Sequence, residues 1–362
     1  MKLNYLFEQV KKDIATGVFG KSGSRFSDVK SLAEQYDISY VTAIKLITEL
    51  KNSRVLLPIG NKNFVINGPY GTNSELYKII NKSHDNKLGI LVPSFTNPFI
   101  AEMTEELNDT ILRCGFLPEI VLAHDEDEIA ILEHFAKSGC AGVFSFLKNQ
   151  TPGVLDYYSR FPLPIVIVGK NPVDINISSV TADNYTAGMV AAKHFLEYGF
   201  KNFAYATTSN NISVNDDRLN GFRDGLKKAG ITLPNENIFA LDQNTSKNKN
   251  MIVSFLSKRK QRTGFFCYHD IMAAQLMLIV QNAGYSIPGH VGIIGYDNLS
   301  IVTGETKLTT FAYSFNKIAE NAVSLMKEKL LKPNSPKNTI NIQTVLIVRN
   351  STNRDLKSNF AI

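Results

Sequence analysis

Leu88 to Met103 reads LGILVPSFTNPFIAEM, and the fold turns on how these residues are divided. Leu88–Val92 is an unbroken apolar run, too short for a helix. Pro93, Asn97 and Pro98 then break the chain, and an amphipathic segment, PFIAEMTEELNDTILRCG, follows. A strand that is apolar at every position has both faces covered, and such strands belong to parallel sheets with helices on either side. The same texture continues through FLPEIVLA, EDEIAILEHFAKSG, AGVFSFL and PIVIV. A second series runs NFAYAT, VNDDRLNGFRDGLKKAG, GFFCY, DIMAAQLMLIVQNAG and VGIIGY, and the chain closes with the helical NKIAENAVSLMKEKLL and the strand-like INIQTVLIV. Two consecutive α/β series of similar size predict two lobes, each with a doubly wound parallel sheet, and place ligands at the carboxyl ends of the strands.

The residues before Leu88 have another texture. Leu6, Val10 and Ile14 recur at helical spacing. SDVKSLAEQY predicts a second, short helix capped by Ser27, with Val29, Leu32 and Ala33 inward, and DIS a tight turn. Ser39 caps a third helix, SYVTAIKLITELKNS, whose buried stripe is Ala43, Ile47 and Leu50. Two β-rich runs, Val55–Leu57 and Phe64–Ile66, are joined through PIGNKN, where Gly60 and Asn61 suit a hairpin turn. Three helices and a hairpin make a winged helix-turn-helix whose third helix would enter a major groove. Asn67 to Lys87 is rich in Gly, Pro, Asn and Ser and reads as a linker. The expected division is 1–68 for the head, 69–86 for the linker and 87–362 for the two-lobed domain. Lobe one takes 87–182 and 314–339, and lobe two 183–313 and 340–362.

One stretch argues for something else. ATGVFGKS, Ala15 to Ser22, spells a loose phosphate-binding loop. Such a loop must follow a buried strand and open a helix, so that backbone N–H groups meet the phosphates. A helix precedes this one and the polar GSRFS follows it, so the motif falls in a turn and nucleotide hydrolysis is not expected. The turn after LGILV lacks a dinucleotide-binding glycine pattern, and no nucleophile elbow or zinc spacing is present. No catalytic residue, metal ligand or cofactor is therefore expected. His124, His134 and His194 fall in no ligand spacing, and the three cysteines (Cys114, Cys140, Cys267) read as isolated thiols of a reducing compartment. No apolar run is long enough to span a bilayer, and the N-terminus mixes charge into its apolar residues, so a cytoplasmic protein without a membrane partner is expected. The net charge of +6 permits a nucleic-acid partner.

YLFEQVKKDIATGVF, FSDVKSLAEQYDISYVTAIKLITEL and GNKNFV together make residues 3–66 resemble the GntR family of bacterial regulators. That resemblance implies DNA contacts from Lys30 to a phosphate, from Ser39, Tyr40 and Thr42 where the third helix meets the groove, from Lys45 one turn on, and from Lys62 at the wing tip. Tyr40 and Ile44 stand where the family often has guanine-reading arginines. Ile44 either belongs to the core or packs on thymine methyl groups, which would favour an A·T-richer operator.

From Leu88 to about Thr352 the chain resembles the sugar-sensing domain of LacI/GalR-type regulators, itself similar to periplasmic sugar-binding proteins. The resemblance rests on LGILVPSFTNPFIAEM, VTADNYTAGMVAAKHFLEYGFKNFAY, RLNGFRDGLKKAGI, HDIMAAQLM, VGIIGYDN and LIVRNSTN. A GntR-type head on a LacI-type body is the arrangement of arabinose-repressor-like proteins. The resemblance implies a sugar held between the lobes by Ser94, Phe95, Asn97 and Phe99 after the first strand, and by Arg218 and Asp297. Asp270 is implied as well, as are Lys170 and His269, which depart from the family's usual Arg and Asn, while Gly169 replaces a frequent Asp. Lys170 and Arg218 against Asp270 and Asp297 is a balanced set that favours a neutral monosaccharide over a sugar phosphate or uronate. The expectation is a non-enzymatic, homodimeric repressor of a double-stranded DNA operator under sugar control. The rivals are a ligand-blind regulator with a degenerate pocket and a nucleotide-linked enzyme.

Overall fold

The computed structural model describes residues 3–15, 17–20, 24–53, 55–59, 63–66, 87–123, 127–147, 150–172, 175–208, 216–241, 245–299 and 306–353. Lys21, Ser22, Gly60, Asn61, Lys62, His124 and the expected linker lie outside the described residues, so no structural statement is made of their predicted roles.

The head begins with α1 (Leu3–Ala15), α2 (Val29–Gln35) and α3 (Tyr40–Asn52), and the strands β1 (Leu56–Ile59) and β2 (Asn63–Ile66) follow. The strands pair antiparallel, Leu56 opposite Ile66 and Ile59 opposite Asn63. Leu6, Val10 and Ile14 of α1 meet Leu32 of α2 and Ala43, Leu46, Ile47 and Leu50 of α3 in one core, closed by Phe26, Val55 and Leu56. The predicted stripe on α3 is thus one residue short, because Leu46 is buried too. Ser27 does not cap α2. Asp28 does, its carboxylate accepting from the Ser31 N–H at 2.9 Å. A carboxylate at this position meets orphan N–H groups and the positive end of the helix, and the bonds from Ser31 hold its pKa down. Ala15 ends α1, so a helix and not a strand precedes the GKS sequence.

The chain divides into two compact units, Met1–Val180 with Phe315–Ile340, which includes the head, and Thr181–Ser314 with Asn341–Ile362. In chain order the first unit adds β3 (Lys87–Val92), α4 (Pro98–Arg113), β4 (Leu117–Leu122), α5 (Glu128–Lys137), β5 (Cys140–Ser145), α6 (Pro152–Arg160), β6 (Ile165–Val168) and β7 (Ser178–Ala182). The second holds α7 (Asn184–Glu197), β8 (Asn202–Thr208), α8 (Asp216–Lys227), β9 (Ile238–Leu241), α9 (Thr245–Ser257), β10 (Thr263–Cys267), α10 (Asp270–Asn282), β11 (Val291–Tyr296) and β12 (Thr309–Ala312). Last come α11 (Phe315–Leu331), β13 (Thr339–Ile342) and β14 (Val345–Ile347).

The two sheets have the same plan. One runs β13-β7-β6-β5-β3-β4 and the other β14-β12-β11-β10-β8-β9. β3 pairs in parallel with β4 and β5, as β8 does with β9 and β10. Among the described residues of these two sheets, the edge strand β14 pairs antiparallel with β12. Both sheets are therefore doubly wound, and each reverses its winding beside its first strand. A crevice opens outside the strand carboxyl ends at such a reversal, which lies at β3/β5 in one sheet and β8/β10 in the other.

Helices α7 and α8 approach so closely that backbone meets backbone. A Cβ on Gly221 would lie 2.0 Å from the Tyr185 carbonyl oxygen, and one on Gly188 2.2 Å from the Arg218 carbonyl oxygen. This contact fixes the first turns of α8, which carry Arg218. Gly221→Ala should accordingly lower the unfolding free energy by about 3 kcal/mol, the upper end of ordinary overpacking, as read by urea denaturation.

Candidate functional site

Two regions gather the residues singled out by sequence: the outer face of α3 and the carboxyl rims of the two sheets. Ser39 is the N-cap of α3. Its Oγ accepts from the Thr42 N–H at 3.2 Å and shares a 2.8 Å hydrogen bond with Thr42 Oγ1. Both polar side chains expected at the groove are therefore engaged in starting the helix. Tyr40 is 58% exposed and Ile44 is 44% exposed. Of the two readings of Ile44, the structure removes the core one. Lys30 is exposed and lies 4.0 Å from Glu34, a pairing worth little on a solvated helix face. Lys45 is exposed as well. Residues 1–66 carry ten Lys and Arg against six Asp and Glu, so this head of less than a fifth of the chain holds +4 of its +6 net charge.

At the rim of the first sheet, Ser94 and Asn97 shape the turn that the sequence placed after β3. The Ser94 hydroxyl accepts from the Thr96 N–H at 3.1 Å, and Asn97 caps α4 by accepting from the Phe99 N–H at 3.0 Å. Phe95 is exposed, whereas Phe99 packs on Phe315 with centroids 5.8 Å apart. Gly169 has φ +82°, and a Cβ there would meet the Phe99 ring at 3.2 Å. An aspartate at 169 would therefore need both a left-handed backbone and a displaced Phe99, which accounts for the glycine.

Lys170 donates to the Leu147 carbonyl at 2.7 Å, with Leu147 itself held at φ 42°. Behind Leu147 lies a buried chain of hydrogen bonds. Ser145 Oγ accepts from the Leu147 N–H at 3.0 Å and bonds Tyr158 Oη at 2.8 Å, and Tyr158 donates to Glu128 at 3.3 Å. Burial lowers the Lys170 pKa, with the Glu128 carboxylate opposing the shift. Glu128, Ser145 and Tyr158 carry no motif. Glu128 shares the buried face of its helix with Ile131, Leu132 and Phe135.

At the rim of the second sheet, Arg218 dominates. Nε donates to Asn184 Oδ1 at 2.7 Å and Nη1 to the Tyr268 carbonyl. The guanidinium lies 3.4 Å over the Tyr296 ring and 4.8 Å from the Tyr268 centroid. Burial alone would lower its pKa. Tyr296, Tyr268, Asp297 and Tyr205 more than reverse this, so the net shift is upward and the group stays cationic. Two of its five N–H donors are engaged in these bonds, and the fixed fork remains suited to adjacent oxygen acceptors. Asp297 has φ 103° and Asn298 φ 54°, a left-handed turn of two non-glycine residues. Strain of this kind persists where the surroundings overdetermine it. Tyr313 donates to Asp297 Oδ1 at 2.9 Å, and Arg349 to Asn298 Oδ1 at 2.7 Å. Tyr268 stands between the Cys and His of FFCYHD, and its role was not legible there.

His269 and Asp270, both implied as ligand contacts, are each bonded within the protein. His269 is the N-cap of α10, its Nδ1 accepting from the Met272 N–H at 3.0 Å. Burial, aided by the Arg218 charge, pushes its pKa down to about 4. The ring is neutral at physiological pH, with its proton on Nε2. Asp270, expected to touch ligand, is 1% exposed. Its Oδ1 accepts from Thr310 Oγ1 at 2.5 Å and Oδ2 from the Leu299 N–H at 2.7 Å. It positions the loop that carries Asp297. Among the described residues no His, Cys, Asp or Glu cluster could hold a metal ion, and no helix is long and apolar enough to cross a membrane.

Residues 192–352 match the periplasmic binding protein-like domain family. The HTH-type transcriptional repressor PurR of Photobacterium profundum is 23% identical over 335 residues, 89% of this chain and 98% of that protein. The crystal structure of the transcription regulator CcpA of Lactococcus lactis superposes with a TM-score of 0.65 at 21% identity, over 74% of this chain and 100% of that one. A LacI family transcriptional regulator from Enterococcus faecium with bound ribose gives 0.61 at 23% identity, over 74% and 98%. The α/β fold with its two largely parallel sheets thus resembles that of a periplasmic-binding-protein-like domain.

Burial pushes the Asp270 pKa up to about 6, against the hydrogen bonds from Thr310 and Leu299 that favour its charged form. A folded-state pKa above the ordinary carboxylate value means that the native state binds the proton more tightly than the unfolded chain. The contribution of Asp270 to stability is thus full at acid pH and is lost as pH rises through about 6. Asp270→Asn removes this titration. The stability difference between parent and variant should narrow by about 1 kcal/mol from pH 5 to pH 7.5, measured by urea unfolding of both proteins across that range.

Proposed function

We propose that this chain is a DNA-binding transcriptional regulator, acting as a repressor, whose operator affinity is set by a small sugar bound at the carboxyl rim of its sheets. The observation that carries the reading is the order of parts: a capped, solvent-facing third helix with a hairpin after it, placed ahead of a periplasmic-binding-protein-like domain. The hairpin β1–β2 supports a winged helix of the GntR type. The full-length likeness to a helix-turn-helix repressor supports the regulatory role. The head's net charge of +4 supplies sequence-independent attraction to phosphate.

Arg218 and Asp297 supply complementary donors and acceptor for sugar hydroxyls. The Tyr268 ring and, in the first unit, Phe95 and Phe99 are aromatic faces of the kind that pack on sugar rings. The relative crystallised with ribose binds a neutral monosaccharide, and a single paired cation beside Asp297 fits that class better than a phosphorylated one. Two copies of the chain would offer two heads to a pseudo-palindromic operator. The sugar controls the operator only through unequal affinity for two conformations of the protein.

A thermal-shift screen of the purified chain against neutral monosaccharides, sugar phosphates and Mg-nucleotides tests this. A sugar at 100 times its Kd should add about 2.7 kcal/mol, which for a domain of this size raises the Tm by about 5–10 °C. Arg218→Ala should abolish the shift while leaving the unliganded chain folded. Release of an operator duplex on adding the active sugar would establish induction. If no sugar shifts the Tm and DNA binding ignores them all, the sensor reading is wrong.

A further inference from the structure

The outer face of α3 is unusually apolar for a solvent-exposed helix face. Ten large hydrophobic side chains are exposed among the described residues, and three of them, Tyr40, Val41 and Ile44, fall within five consecutive residues of this helix, 58%, 61% and 44% exposed. At about 100° per residue they occupy one arc, which borders the Ala43, Leu46, Ile47 and Leu50 stripe that enters the core. The hydrogen-bonding side chains nearby are occupied. Ser39 and Thr42 bond each other and the helix start, and the Thr48 hydroxyl donates to the Ile44 carbonyl at 2.9 Å. The helix contains no arginine and no glutamine. Lys45 flanks the apolar arc, and the head around it is cationic.

We propose that α3 reads thymine by its C5-methyl group. Val41 and Ile44 would cover thymine methyls of an A·T-rich half-site in the major groove, and Lys45 would hold a backbone phosphate. This rests on the reading of the head as a DNA reader. The chemistry follows from the major groove, where the only apolar feature of any base edge is the thymine methyl. An apolar arc can gain from that group, whereas against guanine or cytosine it would desolvate acceptors and donors without replacing their hydrogen bonds. A protein surface is the competing occupant of such an arc, and the positive charge of the head together with the hairpin after α3 favours DNA.

The test uses the full chain and duplexes enriched from a randomised 30-base-pair library. Each enriched duplex is then remade with deoxyuridine for thymine, which deletes the methyl group and keeps every hydrogen bond. Affinity should fall about fourfold for each covered methyl, the worth of one buried methyl-sized group. Ile44→Ala should weaken binding to the thymine duplex and lose discrimination at one position. Lys45→Ala should weaken both duplexes alike and lower the salt dependence. Specific binding with equal affinity for thymine and uracil duplexes, or enrichment of G·C-rich sites, overturns the proposal and leaves the DNA-binding reading standing. Failure to enrich any duplex removes that reading and this proposal together.

Discussion

Parallel strands buried on both faces leave the protein little choice about where its chemistry goes. Leu88, Ile90, Leu91 and Val92 of β3, and Phe265, Phe266 and Cys267 of β10, are wholly enclosed. Helices must cover both faces of each sheet, and the middles of β3 and β10 carry only packing. Reactive and hydrogen-bonding side chains are pushed to the strand ends, and the repeated strand order selects the carboxyl ends beside β3/β5 and β8/β10. Lys170 follows the carboxyl end of β6, His269 that of β10 and Asp297 that of β11, while Arg218 sits in the first turn of α8, the helix after β8. Arg218 is held there by the approach of α7 and α8, which only glycine at 188 and 221 permits.

Many of the polar residues at these rims work on the protein itself. Ser94, Asn97 and His269 each satisfy a backbone N–H in a turn or helix start, Asp270 holds a loop, and Lys170 bonds a carbonyl. Helix starts leave N–H groups without partners, and a rim formed of helix starts has many of them. Arg218 and Asp297 are likewise seated by their surroundings. Tyr296 and Tyr268 give the Arg218 guanidinium its planar seat, and Tyr313 fixes the Asp297 carboxylate on a strained turn.

The same division of labour holds in the head. Ser39 and Thr42 start α3, so the face it presents is dominated by Tyr40, Val41, Ile44 and Lys45. A helix face is specified as much by the polar groups it consumes internally as by those it displays.

Periodicity and composition by themselves determined the α/β plan, the helices and hairpin of the head, and the stretches that end at the two rims. Apolar spacing is a local property that survives in any context. Strands such as Ser178–Ala182 and Thr309–Ala312 escaped that reading because they are short and rich in Ser and Thr, and their burial depends on partners far along the chain. Ser178 accepts from the Asn338 N–H, and Thr309 shares a hydrogen bond with Thr352. Only the tertiary structure decided that Asp28 and not Ser27 caps α2, that Ile44 faces outward, that His269 caps α10 while Asp270 is buried, and that Glu128 and three tyrosines support the charged residues. Each of these depends on which way a side chain points and what lies beyond it. Three-dimensional neighbours set that direction, and residue spacing along the chain does not encode it.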